Sequence, residues 1–134
     1  MKKEMAQSSQ TAEPDWAYKL MDRVNADVEM SVIGEKCNVR FSISTTEWNV
    51  HLTVRAGRIV EVNSTPRIDS ACDFGFVAPS DVWTKFRDPA RPAIYHSLFA
   101  MIMRVPEFRL VGDSLRFAQN ARPMLRIMTI FQSI

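Results

Sequence analysis

The feature that most constrains the fold of this chain is a two-residue alternation of apolar and polar side chains. It runs through residues 37–44 (CNVRFSIS) and 48–55 (WNVHLTVR), and it returns in residues 72–78 (CDFGFVA). Successive side chains of a strand point to opposite faces of a sheet, so this period predicts strands with one buried face and one solvated face. The chain is therefore expected to build a sheet around a single apolar face.

Short connections between these segments predict how the strands pair. Ala56 and Gly57 form a tight-turn signal, and a third strand is predicted after them with Val60 and Val62 on its apolar face. Three strands joined by short links predict an antiparallel meander. A loop around Pro66 then leads to the fourth strand, in residues 72–78.

Helical spacing appears at both ends of the chain. A first helix is predicted from near Trp16 to about Asp27, and after Ala78 helices are predicted over residues 80–87, over 91–104 and after Ser114. Pro123 should kink or restart the last helix, and a fifth strand is predicted at 108–110. The order predicts an α+β fold, with a five-stranded, mostly antiparallel sheet and helices covering one face.

The length of 134 residues fits one domain, predicted over 14–134, after a disordered polar tail at 1–13. The tail lacks the apolar core of a secretory signal, and no window is apolar enough to span a membrane. Cys37 and Cys72 are expected to be buried, reduced thiols at apolar strand positions, which favours a cytoplasmic location.

Catalytic motifs are absent from the sequence, and so is any spacing typical of metal ligands, so neither an enzyme nor a cofactor is predicted. His51 falls on the polar face of the second strand and is expected to be solvated. His96 is expected on a helix surface. Asp81 and Asp113 stand where helices begin, so capping explains them, and Asp73 points away from the main apolar set.

The last third of the chain is rich in methionine and aromatic residues. Such side chains adapt to irregular apolar partners, so they fit either an ordinary core or the wall of a ligand cavity. The candidate ligand-binding residues are Trp83, Phe86, Phe99, Met103, Phe117, Met124, Met128 and Phe131.

Basic residues are unevenly distributed although the net charge is only +2. From Lys85 onward there are eight basic and three acidic residues, against nine and twelve before it. This excess would allow transient contact with an anionic membrane surface, although arginines scattered over solvated polar helix faces are the favoured explanation. Because no basic strip interleaves with aromatic residues on a strand face, nucleic-acid binding is not predicted.

Several local motifs resemble those of the sterol carrier protein 2 family of lipid-binding domains. Residues 71–76 (ACDFGF) resemble the family's fourth strand, and 78–83 (APSDVW) its strand-to-helix joint. Asp88 and Pro89 match the family's break before the next helix, and 108–113 (FRLVGD) resembles its fifth strand. Element order extends the resemblance from Trp16 to about Phe131. The chain departs from the family in a longer segment at 101–107 and a longer, more broken final region around Pro123.

The resemblance implies a non-enzymatic carrier that buries a fatty acyl, sterol or isoprenoid lipid in an apolar tunnel between sheet and helices. Two other interpretations remain open. One is a small cofactor-free isomerase or hydratase of the ketosteroid-isomerase type, with Asp73 and Tyr95 as acid–base candidates. The other is an interaction protein that binds no lipid. The first would need a buried carboxylate beside a hydroxyl, and the second a filled core with an exposed apolar patch.

Overall fold

The structure is a computed structural model that describes residues 15–67 and 70–134, so the predicted tail at 1–13 lies outside the described residues. Six α-helices and five strands are described, together with one short 3-10 helix at Ala93–Tyr95. The strands are β1 (Val39–Ser44), β2 (Asn49–Arg55), β3 (Arg58–Asn63), β4 (Phe74–Val77) and β5 (Arg109–Gly112). The helices are α1 (Asp15–Asn25), α2 (Val28–Ile33), α3 (Ser80–Arg87), α4 (Leu98–Arg104), α5 (Ser114–Gln119) and α6 (Ala121–Gln132).

The five strands form one sheet in the order β3-β2-β1-β4-β5. The pairs β1–β2, β2–β3 and β4–β5 are antiparallel, and β1–β4 is parallel. Phe41 pairs with Leu52 on one side and with Phe74 on the other, so all three side chains point to the same face. The α+β class, the meander and the five-stranded, mostly antiparallel sheet are thus confirmed.

The third strand corrects the sequence expectation for its buried face. Ile59 is buried, whereas Val60 is 57% exposed. The pairing explains why: Thr53 faces Glu61 and the next residue, Val54, faces Ile59, so Val60 is the extra residue of a β-bulge. The bulge lets both Ile59 and Val62 face the core, which uninterrupted alternation forbids.

The turn before β3 confirms the sequence signal at its two central residues. Both Ala56 and Gly57 have positive φ angles, 52° and 78°, as a two-residue hairpin turn of type I′ requires. Glycine adopts this conformation freely, but alanine does so at a cost in strain. The backbone N–H of Ala56 donates to the side-chain oxygen of Asn38 at 3.0 Å, and this bond helps to hold the turn.

The second correction concerns His51, which was expected to be solvated but is only 8% exposed. The chain leaves β3 at one edge of the sheet and must pass β2 and β1 to reach β4. On the way, Ser70 comes to line a small cavity of about 90 Å³ with Arg40, His51, Glu61 and Asn63. Ser70 therefore covers part of the polar face of the sheet beside His51.

The predicted helix over 91–104 is the third correction. The structure has a 3-10 turn at Ala93–Tyr95 and a separate α4 that begins at Leu98. Between them Ser97 is extended, with φ −142° and ψ 159°, and its side-chain oxygen accepts the N–H of Ala100 at 3.2 Å. A serine in this conformation caps a new helix, so it divides the segment in two.

The final region behaves as its sequence signals predict. Asp113 caps α5 by accepting the N–H of Arg116 at 3.0 Å. Helix α5 ends at Gln119 and α6 begins at Ala121, so Pro123 lies in the first turn of the restarted helix, where its missing N–H is tolerated. Met124, Ile127, Met128 and Phe131 are all buried along α6.

Helix α2 was not predicted, and Asp27 explains how it forms. The carboxylate of Asp27 accepts the N–H of Met30 at 2.9 Å and so caps the helix. The same carboxylate receives two bonds from Arg126 of α6, at 3.0 Å from Nε and 2.8 Å from Nη2. Asp27 therefore both starts α2 and joins it to α6. The Arg126 bonds are the main reason why the pKa of Asp27 lies below its usual 3.8.

We expect Asp27→Ala to lower the free energy of unfolding by about 2 kcal/mol, through loss of the cap and the ion pair. Asp27→Asn should cost less, since asparagine is also a good cap. Because folding depresses the pKa of Asp27, its charge stabilises the protein above the unfolded value of 3.8. This stabilisation is lost as the pH falls through the folded pKa.

Urea denaturation of the wild type and both variants, from pH 7 down to pH 3, measures these effects. The gap between wild type and Asp27→Asn should be constant at neutral pH and should shrink below about pH 4. A gap that widens on acidification would contradict the role of the charged pair.

Candidate functional site

The apolar face of the sheet and the helices enclose a continuous cluster of aromatic side chains, which we call the aromatic layer. Neighbouring ring centroids within it lie 4.8–6.3 Å apart, mostly tilted or edge-to-face, which is the favourable arrangement for such rings. Its members are Trp16, Phe41, Phe74, Phe76, Trp83, Phe86, Phe108, Phe117 and Phe131. All are buried.

The eight residues proposed from sequence as ligand contacts occupy two kinds of position. Six are buried between the sheet and the helices: Trp83, Phe86, Phe117, Met124, Met128 and Phe131. Of these, Trp83, Phe86, Phe117 and Phe131 belong to the aromatic layer. In this structure the six pack against protein neighbours, so the region where the resemblance implied a tunnel is filled by side chains.

Phe99 and Met103 differ from the other six because they lie largely on the surface. They are 41% and 80% exposed and stand four residues apart on α4, so they share one face of that helix. The ring of Phe99 lies against that of Phe117, with centroids 6.1 Å apart. Met101, between them in sequence, is fully buried. Helix α4 thus links the aromatic layer to the exterior.

A groove at the other end of the aromatic layer contains the three tryptophans of the chain. It has a volume of about 500 Å³ and is lined by Trp16, Trp48, Trp83 and Arg87, among others. The Arg87 guanidinium lies 5.0 Å from the ring centroid of Phe131, an arrangement typical of a cation–π contact. Burial lowers the pKa of Arg87. This tryptophan groove was not anticipated, since Trp16 and Trp48 lie far from Trp83 in sequence.

A second hollow, which we call the basic cleft, lies near the start of β4. It has a volume of about 480 Å³. Its lining consists of Asn38, Arg40, Arg55, Ala71, Cys72, Asp73 and Arg116. No local sequence pattern indicates this cleft, because its arginines belong to β1, β2 and α5 and only the tertiary fold gathers them.

The two cysteines are free thiols. Cys37 is buried as expected, whereas Cys72 is half-buried, and both lie outside the strands to which the sequence assigned them. Burial raises the pKa of each thiol to about 11, which keeps both protonated near neutral pH. Thiolate chemistry is therefore disfavoured at either position.

Asp73, the acid–base candidate of the isomerase interpretation, is held in a structural role. Its carboxylate accepts the backbone N–H of Arg40 at 2.8 Å, and its own N–H donates to the Arg40 carbonyl. Tyr95 instead lies beneath the ammonium group of Lys85, and its carbonyl accepts from Gln132. These contacts give the isomerase interpretation no support.

Burial changes His51 more than the sequence suggested. The pKa of His51 is lowered mainly by desolvation and to a smaller extent by the nearby charge of Arg40. Its Nε2 lies 3.3 Å from the side-chain nitrogen of Asn49. Among residues 15–67 and 70–134, no group of three or more histidine, cysteine or acidic side chains is placed to hold a metal ion. No helix in the described parts of the chain is both long and apolar enough to cross a membrane.

Solved structures reveal which known fold this arrangement matches. Sterol carrier protein 2 superposes with a TM-score of 0.72 at 12% identity, over 89% of this chain and 95% of that one. A conserved hypothetical protein of Thermus thermophilus, suggested to be a sterol carrier protein, gives 0.64 at 12% identity, over 89% and 87%.

The ubiquinone synthesis protein UbiJ-SCP2 gives a TM-score of 0.58 at 14% identity, over 87% of each chain. No family model and no curated protein matches the sequence. The chain therefore has the sterol carrier protein 2 fold, as its motifs and element order predicted.

Proposed function

We propose that this protein is a non-enzymatic carrier that binds the apolar chain of a lipid between the sheet and helices α4, α5 and α6. The observation that carries the proposal is the fold. It superposes on that of sterol carrier protein 2 over 89% of this chain. The aromatic layer supports it, because the layer lies between the same sheet and helices and consists of side chains that adapt to apolar partners. Each methylene buried there would contribute about 0.8 kcal/mol.

Because the layer is filled, a ligand must displace side chains to enter it. Helix α4 is suited to move, since it has seven residues and is preceded by the 3-10 turn and the extended Ser97. We propose that the lipid enters beside α4, where it replaces the contact between Phe99 and Phe117. Exposed Phe99 and Met103 would then be the first side chains that the ligand meets.

Three further features of the proposal come from the same reasoning. The hydrogen bonds of Asp73 and the protonated thiols support a role without turnover. The free thiols suit a reducing compartment such as the cytoplasm. The excess of basic residues from Lys85 onward would allow brief contact with an anionic membrane, where a lipid could be collected or delivered.

Phe99→Glu should weaken binding of a fluorescent fatty acid by about tenfold, because a carboxylate would replace an apolar contact at the proposed entrance. The thermal midpoint should fall by only a few degrees, since Phe99 is 41% exposed and loses one ring contact, with Phe117. The matched control is Val60→Glu, which introduces the same charge at a 57% exposed apolar residue on β3. That control should bind as the wild type does.

Native mass spectrometry of the wild type, purified from its own host, should also show a retained lipid. Equal affinity in Phe99→Glu and Val60→Glu would contradict the proposed entrance. Failure of the wild type to bind any lipid in both assays would contradict the carrier function itself.

A second candidate is an interaction protein that binds no lipid, and two observations favour it. The region between sheet and helices is filled, and α2 exposes Val28 and Val32, which are 80% and 68% accessible and stand four residues apart. A helix face of this kind can pack against a partner. Absence of retained lipid, together with no binding of the fluorescent fatty acid by the wild type, would favour this second function.

A further inference from the structure

The basic cleft carries a strong excess of positive charge. An adjoining hollow of about 300 Å³ shares Asn38 and Arg116 with it and adds Lys36. Among the described side chains that line the two hollows, Lys36, Arg40, Arg55 and Arg116 are cationic, and Asp73 is the one carboxylate. Cations gathered around a concave surface raise the local concentration of anions.

The carboxylate of Asp73 reduces this excess by one charge, and its hydrogen bond goes to the backbone of Arg40. One of its oxygens accepts the backbone N–H of Arg40 at 2.8 Å, and the Asp73 N–H and carbonyl are bonded to Arg40 and Asp113. Asp73 is thus fixed as a link between β1 and the start of β4. Glu61 approaches Arg40 at 3.8 Å, but both side chains are substantially exposed, which makes this a weak pair.

Each arginine of the cleft is held in place by a bond that leaves most of its donors available. Arg116 donates from Nη2 to the carbonyl of Asn38 at 2.8 Å. Arg40 donates from Nε to the hydroxyl of Thr53 at 3.1 Å, and Arg55 from Nη1 to the carbonyl of Val54 at 3.1 Å. A guanidinium carries five N–H groups in a planar fork that matches phosphate oxygens, so positioned arginines suit a phosphate better than isolated ammonium groups do.

Two segments that line the cleft also contribute rings to the aromatic layer. Asp73 immediately precedes Phe74, and Arg116 immediately precedes Phe117. The two rings are 5.5 Å apart inside the layer. The segment before β4 and helix α5 therefore each contribute a polar residue to the cleft and a ring to the aromatic layer, although consecutive residues of a strand point to opposite faces of the sheet. An amphiphile could place a charged group in the cleft and its apolar chain among these rings.

We propose that the basic cleft binds a phosphate group, and that the lipid carried by this protein bears a phosphate or diphosphate head. The part of the proposal that concerns the lipid rests on the proposed carrier function, whereas phosphate binding by the cleft does not. Phosphate is favoured over a carboxylate because it offers more acceptor oxygens and up to two charges to several arginines. The same chemistry would also admit a free phosphate.

Calorimetric titration with dodecyl phosphate, dodecanol and inorganic phosphate separates these cases. The wild type should bind dodecyl phosphate about tenfold more tightly than dodecanol at low salt, as expected for charge-assisted hydrogen bonds to the head. High salt should reduce that preference, because exposed charges are screened. Inorganic phosphate alone should bind weakly, since it lacks the apolar chain.

Arg116→Gln should remove most of this preference and leave dodecanol binding unchanged. Arg55→Gln provides a second variant in a different element. The matched control is Lys19→Gln, which removes one positive charge from an exposed position of α1, outside both hollows, and should keep the preference.

Equal binding of dodecyl phosphate and dodecanol by the wild type would overturn the phosphate cleft and leave the carrier function standing. A preference that survives in both Arg116→Gln and Arg55→Gln would also overturn it. If neither lipid binds while inorganic phosphate binds and depends on Arg116, the cleft is supported as a site for a free anion and the carrier function fails.

Discussion

Replacing Phe76 by alanine should lower the free energy of unfolding by about 3–5 kcal/mol, a large part of the stability of a domain this size. The ring is completely buried at the centre of the aromatic layer. Its centroid lies 5.8–6.1 Å from those of Phe41, Phe74, Phe108 and Phe117. Alanine would leave a cavity that these neighbours, held by two strands and two other segments, can fill only in part.

Urea denaturation followed by circular dichroism measures this loss. Phe99→Ala is the matched control, because it removes the same side chain from a 41% exposed position with one ring neighbour, Phe117. The control should cost about 1 kcal/mol. Equal losses in the two variants would mean that the aromatic layer is not tightly packed around Phe76. A dodecyl chain that restores the stability of Phe76→Ala would place the bound ligand at that ring.

The architecture could be predicted because its main signals are local. Two-residue alternation in residues 37–44 and 48–55 depends only on which face of a strand each side chain occupies. The turn at Ala56 and Gly57 and the cap at Asp113 are likewise encoded in a few adjacent residues. These signals determine the number of strands, their main buried face and the order of elements.

The errors arose where a distant segment decides the outcome. Ser70 lies beside His51 on the polar face although it is distant in sequence, and the alternation around His51 gives no sign of this contact. The parallel pairing of β1 with β4 likewise joins two segments that are distant in sequence, so no local pattern predicts it. At Val60, a single bulge shifts the pairing of β3 with β2 by one residue. Ile59 therefore faces the core and Val60 faces solvent.

Two missed helix boundaries had local signals that stronger-looking patterns obscured. Asp27 caps α2 through Met30, but the apolar stripe of α1 ends just before it. Ser97 caps α4, but it lies inside a stretch from Arg91 to Arg104 that can be read as one helix. In both cases a short capping residue starts a new helix and outweighs continuous spacing.

The candidate site was harder to predict than the fold because helical periodicity cannot separate a core from a cavity wall. Met128 and Phe99 both lie on apolar stripes, yet Met128 is 1% exposed and Phe99 is 41% exposed. The difference depends on where α4 and α6 stand relative to the sheet. The sequence could nominate these residues as apolar, but whether a ligand touches them is a question of packing.

Met128→Glu distinguishes a packed core from a cavity wall at that position. In the structure Met128 is buried on α6, so a carboxylate there would be removed from water with no partner prepared for it. We expect a loss of about 4 kcal/mol or more, enough to unfold much of the population of a marginally stable domain. Met128→Leu, which nearly conserves volume and polarity, should cost less than about 1.5 kcal/mol.

Intrinsic fluorescence during urea denaturation reports the result. Phe131 lies on α6, as Met128 does, and the rings of Trp16 and Trp83 both pack against it. Unfolding of α6 from the sheet would expose both indoles to water and shift their emission to longer wavelength. If Met128→Glu instead keeps its midpoint and loses affinity for a fluorescent fatty acid, Met128 faces a ligand cavity that opens in solution. A destabilised variant whose folded fraction binds lipid normally would show that Met128 belongs to the core and that the ligand lies elsewhere in the layer.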